Sequence, residues 1–183
     1  MSRFARGLFC AVAALVALSR SDRVFAAGPA APGAEEVAAF SVRLADDEAA
    51  RSVRRAVAGA HDRLGREGCN AIFQAFRDPS GRTLDQNLAA LGASGQEFLE
   101  QVLFYDGSAL AVCQKNPARA VYAVTERGGR AVRVCASQFE ALQRKSPALG
   151  EVVIIHEMLH ALGLGEGPPS SDEITWRVMK SCT

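Results

Sequence analysis

The stretch that most limits what this chain can fold into is Leu149 to Leu164, a long, mostly apolar run interrupted by His156, Glu157 and His160. A run of that length and character is a buried helix rather than a strand. Burying two imidazoles and a carboxylate in it is costly unless something binds them. On a helix, residues four apart lie one above the other, so both imidazoles reach a single metal ion from one face. Glu157 is rotated off that face but stays close enough to handle a water. The pattern H-E-x-x-H thus supplies two neutral nitrogen ligands, a carboxylate base and open positions, the set that hydrolysis at Zn²⁺ needs. Such a match arises by chance in about one or two per cent of chains this long. The plainer alternative is a core helix with two hydrogen-bonded histidines. Against it, the chain has only 3 His, two of them in this motif.

The helix ends at once in Gly163-Leu164-Gly165-Glu166-Gly167, which returns an acidic residue towards the histidines. Glu166, Asp172 and Glu173 are the nearby carboxylates that can complete the ligand set. Ser170-x-x-Glu173 reads as a capping box for a terminal helix, which gives Glu173 a structural task. Asp172 suits the positive end of that helix. Glu166 has no such explanation, and its flanking glycines allow a sharp return. It therefore ranks first, with Glu173 second and Asp172 third. Zn²⁺ is then held by His156, His160 and Glu166, and Glu157 takes the proton of the attacking water.

The 183 residues are 49% hydrophobic and 22% charged, with net charge +1, which suits one domain with an ordinary core. Basic residues are scattered among acidic ones, leaving no footprint for nucleic acid. The N-terminus is distinct. Arg3 and Arg6 precede the apolar run Gly7 to Leu18, and Val24-Phe25-Ala26-Ala27 supplies small residues for cleavage. That run is too short to span a bilayer, so residues 1–26 read as a secretory signal peptide cut after Ala26. Residues 27–45 follow as a leader and 46–183 as the catalytic domain. The expectation is a secreted or periplasmic monomer with no membrane anchor once the signal is removed. Cys10 leaves with the signal. Cys69, Cys113, Cys135 and Cys182 remain, an even set that implies two disulfides with three possible connectivities. The favoured pairing is Cys113–Cys135 with Cys69–Cys182. No Cys-x-x-Cys spacing suggests a thiolate metal site.

Along the chain, Asp46-Asp47-Glu48 opens a helix whose stripe is Val53, Val57, Ala60 and Leu64. His61 lies beside that stripe and reads as a helix-surface residue rather than a ligand. Ala71 to Phe76 is a short helix closed by Asp78-Pro79-Ser80-Gly81. Thr83-x-x-Gln86 and Ser94-x-x-Glu97 are capping boxes. Val102 to Tyr105, Leu110 to Cys113, Ala120 to Thr125 and Ala131 to Cys135 read as strands between turns at Asp106-Gly107, Asn116-Pro117 and Gly128-Gly129. A short helix near Gln138 to Arg144 precedes the motif helix. The class is α+β, with a small, mainly antiparallel sheet and several short helices. Tyr105 and Tyr122 read as strand packing residues.

The extended motif His156 to Glu166, H-E-x-x-H-x-x-G-x-x-E, resembles the zincin metallopeptidases, and its spacing is similar to the metzincin branch. There the glycine turns the chain and a third ligand stands where Glu166 stands here. That ligand is usually His and sometimes Asp, so Glu is a departure. Metzincins also carry a methionine turn; the only candidate, Met179, falls in an expected helix and is given no such role. The approach from Cys135 to Phe139 is similar to deuterolysin-like peptidases, whose Gly-Thr-x-Asp motif is absent. The resemblance covers Val152 to Glu166. It implies an exported zinc metallopeptidase acting on peptides or proteins. Two other readings stand beside it: a zinc hydrolase of a non-peptide amide, and a secreted, disulfide-stapled binding module whose zinc site is structural or degenerate. The intact Glu157 speaks against the last.

Overall fold

Side-chain caps fix where four of the eight helices among the described residues begin. The structure, a computed structural model, describes residues 40–114 and 120–182. Helix α1 (Asp47–Leu64) starts at Asp46, whose carboxylate accepts the Ala49 N–H at 2.8 Å. Its expected stripe, Val53, Val57, Ala60 and Leu64, is fully buried. After α2 (Glu67–Ala75), the reciprocal capping boxes expected at Thr83/Gln86 and Ser94/Glu97 open α3 (Leu84–Leu91) and α4 (Gly95–Glu100). Later come α5 (Ala111–Gln114), α6 (Ala136–Lys145), α7 (Pro147–Ala161) and α8 (Ser171–Ser181).

Four strands lie among the described residues: β1 (Ser41–Arg43), β2 (Leu103–Asp106), β3 (Ala123–Thr125) and β4 (Ala131–Val134). The class is α+β, as expected, but the sheet is mixed rather than mainly antiparallel. Its order is β1-β2-β4-β3, with β1 and β4 both parallel to β2 and only β3–β4 antiparallel. The reason lies at the end of β2. Instead of turning into a hairpin, the chain coils: Asp106 accepts the Ser108 N–H at 2.8 Å and Gly107 accepts that of Leu110 at 2.8 Å. Leu110 to Cys113, expected as a strand, becomes the single turn α5, and β4 re-enters beside β2 in the same direction. Parallel pairing requires a crossover of this kind rather than a tight turn.

Strand β1 lies inside the stretch that composition marks as leader, so the folded unit takes in residues before Asp46. Residues 1–26, with Cys10, and the turn at Asn116-Pro117 lie outside the described residues. Among the described residues, no helix is long and apolar enough to cross a membrane. The disulfides are those favoured from sequence, Cys69–Cys182 and Cys113–Cys135. Two such bridges suit an oxidising, extracellular type of environment.

Helix α7 sits at the centre. It packs on α1, α6 and α8 and against β3 and β4. With Pro147 in its first turn, it is buried almost all round, from Val152 through Ala161. That placement decides the environment of the motif.

Candidate metal centre

His156 and His160 project from one face of α7, and their Nε2 atoms lie 3.0 Å apart. The helix then stops in a Schellman motif: Gly163 N–H bonds the His160 carbonyl at 2.9 Å and Leu164 N–H bonds that of Leu159 at 3.0 Å. Gly163 has φ +110°, a conformation that only glycine adopts cheaply. Leu164 is buried and anchors the turn. Asn87 of α3 donates to the Leu162 carbonyl at 3.0 Å, holding the same turn from outside. The chain therefore doubles back and delivers Glu166. Its Oε1 lies 3.2 Å from His160 Nε2 and 3.6 Å from His156 Nε2. The three ligand atoms lie within 4.8 Å of one another and form a possible metal-binding group.

The other imidazole nitrogens are engaged. His160 Nδ1 is 2.9 Å from the Leu164 carbonyl, which can only accept, so this nitrogen carries the proton and Nε2 offers a lone pair. His156 Nδ1 is 2.9 Å from Thr175 Oγ1 on α8. Burial, and then the neighbouring His160, hold the His156 imidazole down at about 4. At neutral pH it is an uncharged donor. A bare Nε2 and a carboxylate oxygen at 3.2 Å repel unless positive charge stands between them, so this donor set fits a cation.

Glu157 is 7% exposed, and its Oε2 has no hydrogen-bond partner; neither has Thr125 Oγ1 on β3. Burial pushes the carboxyl up, while the nearby Thr125 hydroxyl and His160 oppose the rise. An orphaned buried acceptor costs about 1–3 kcal/mol, and more when charged. A carboxylate left in that state beside a ligand cluster is equipped to take a proton from a third molecule. Both residues line a cleft of about 760 Å³ that also includes Tyr122, Arg127, Glu166 and Asp172. The β3–β4 hairpin docks on the motif helix through Gly128 N–H to the His160 carbonyl, 2.9 Å.

The other candidates fall elsewhere. The Glu173 amide is capped by Ser170 Oγ at 3.2 Å, but its carboxylate pairs with Arg177 at 2.6 Å, so the expected capping box is half made. Asp172 is exposed in the first turn of α8 and lines the cleft without joining the three-atom group. His61 bonds Glu100 at 3.1 Å and lies outside the metal group. Tyr105 sits in β2 under the Arg133 guanidinium, and Met179 is exposed on α8. Thr125, Arg127 and Thr175 belong to the site but carry no local sequence signal; only the packing of β3 and α8 on α7 brings them in. No protein-family model, no curated protein and no solved structure matches this chain.

Proposed function

We propose that this chain is a zinc-dependent hydrolase of peptide bonds, of the zincin type, exported to an oxidising compartment. The observation that carries the reading is the convergence of His156, His160 and Glu166 beside the unpartnered carboxylate of Glu157. Two imidazoles and one carboxylate are the ligand chemistry zinc takes in hydrolytic sites that keep a position open. When bound, the ion supplies a Lewis acid that polarises a carbonyl and acidifies water. Glu157 takes the proton of the attacking water and passes it to the leaving amine. Its buried surroundings favour both roles, because they raise its affinity for the proton it must hold between the two steps. Thr125, facing the same space, supplies a hydroxyl to orient the water.

Peptides are favoured over other amides by the sheet. Strand β3 is last in the sheet order, and its residues Ala123 to Thr125 line the cleft. Among the described residues its outer edge pairs with no strand. An extended chain can therefore add to that edge through backbone hydrogen bonds and lie across the donor cluster.

The test is zinc content by elemental analysis, together with cleavage of an unstructured protein such as casein, with and without chelator. Wild type should carry about one zinc per chain and cleave in a chelator-sensitive way. His156→Ala and His160→Ala should lose the metal. Glu157→Gln should keep metal and fold but lose cleavage. Cleavage by Glu157→Gln at the wild-type rate would sink the mechanism. A wild type that holds zinc but leaves varied peptides intact would support the binding module instead.

A further inference from the structure

The two histidines are oriented in different ways. His160 Nδ1 meets a backbone carbonyl, Leu164, which no side-chain substitution can remove. His156 Nδ1 meets a single side-chain hydroxyl, that of Thr175. Resting on the metal-site reading above, we infer that Thr175 is the positioning residue that sets the tautomer and ring orientation of His156 for metal binding.

Proton placement gives the argument. If His156 Nδ1–H donates to Thr175 Oγ1, Nε2 presents its lone pair towards His160 and Glu166. If the hydroxyl donates instead, Nε2 carries the proton, and His156 points an N–H where a ligand is needed. The acceptor role is open to Thr175 because a hydroxyl carries two acceptor lone pairs beside its one proton, and α8 sets Oγ1 2.9 Å from Nδ1. Its β-branched side chain also has few rotamers to lose.

Helix α8 is held firmly enough for this task. Ser170 caps its start, and Ile174 and Val178 are fully buried. Its last residue is followed by Cys182, bonded to Cys69 of α2. Arg63 of α1 donates to the Cys182 carbonyl at 2.7 Å and to Glu151 of α7 at 2.5 Å, tying the end of α8 to the motif helix. The hydroxyl is thus fixed relative to the ring it serves. Groups that hold a ligand histidine in this way are typically worth about 10–100-fold in metal affinity.

The experiment compares zinc affinity of the mature domain in wild type, Thr175→Val and Thr175→Ser, by competition with a chromophoric chelator. Valine keeps the shape without the hydroxyl and should weaken zinc by about 10–100-fold. Serine restores the acceptor and should recover most of the loss, with metal-free melting unchanged among the three. Wild-type affinity in Thr175→Val, or a serine variant as weak as valine, overturns the assignment. If the valine variant melts early, the imidazole ¹⁵N shifts of zinc-loaded wild type decide. A protonated, hydrogen-bonded His156 Nδ1 supports the inference, and a protonated Nε2 overturns it. A wild type that takes up no zinc instead overturns the metal reading on which this rests.

Discussion

Glu166 and Glu173 can be separated by one pair of substitutions. Among the described residues Glu166 makes no hydrogen bond or ion pair beyond the two imidazoles, and its side chain is 50% exposed, so Glu166→Ala should leave the metal-free protein as stable as wild type. Its effect on zinc is large. A carboxylate against a divalent ion at a ligand distance of about 2.1 Å is worth about 4 kcal/mol even at the permittivity of water, the fitting value for a half-exposed group. That corresponds to nearly three orders of magnitude in Kd. A water taking the vacated position offsets part of it, so the expected loss lies between about tenfold and a thousandfold. Glu173→Ala removes instead an ion pair with Arg177 whose side chains are 42% and 39% exposed. Such pairs contribute about 0.3–0.5 kcal/mol, so melting should fall slightly and zinc affinity should hold. Chelator competition measures the first effect and thermal melting of the metal-free proteins the second. If Glu173→Ala strips the metal while Glu166→Ala keeps it, the third ligand is on α8 and the site geometry argued above is wrong.

Other expectations follow from neighbouring features. In the loop-entropy account, Cys69–Cys182, with a separation of 113 residues, stabilises by about 4.8 kcal/mol, and Cys113–Cys135, with a separation of 22, by about 3.4 kcal/mol. Denaturant titration of the two double-alanine variants should therefore show the larger loss for the long loop, and the reverse order would refute that account. Gly163→Ala meets no atom closer than 3.5 Å, so its cost is backbone strain, about 1–3 kcal/mol. Zinc affinity should fall with it, since the same turn carries Leu164 and Glu166; unchanged affinity would separate the turn from the site. The Ser80 hydroxyl, and then the Asn87 amide, hold Asp78 down at about 2 from its ordinary 3.8. Its stabilisation is therefore complete above about pH 5 and fades as pH falls towards 2. Asp78→Asn should flatten the urea-midpoint profile across that acid limb, and an unchanged slope would show that Asp78 does not contribute.

Much of the site could be read along the chain because the signals are local. The histidines four apart, the glycine that closes a Schellman turn and the glutamate three residues later all act within one helix end. The same holds for Asp46, Thr83 and Ser94, whose caps satisfy N–H groups three residues away. The even cysteine count announced two disulfides but allowed three connectivities, and the favoured one, Cys69–Cys182 with Cys113–Cys135, is the one found. Glu166, ranked first among the carboxylates, stands with His156 and His160 in a possible metal-binding group, while the Glu173 carboxylate pairs with Arg177 instead of completing a capping box.

What the chain alone did not reveal depends on contacts between distant segments. Ser41–Arg43 is a strand because it lies alongside Leu103–Tyr105, and nothing within three residues announces a parallel partner so far away. Leu110 to Cys113 has the composition of a strand, yet the turn after Asp106 and the bond from Cys113 to Cys135 coil it into α5. Short apolar runs carry too few residues for periodicity to choose between the two forms. The same limit hid Thr125 and Thr175. Each is an ordinary β-branched residue in its own element, and only the packing of β3 and α8 on α7 sets one hydroxyl beside Glu157 and the other against His156. The candidate donors could be named because helical spacing and the turn after it are local properties of the backbone. The orientation of those imidazoles depends on which groups the tertiary fold brings within hydrogen-bond reach of the other ring nitrogen.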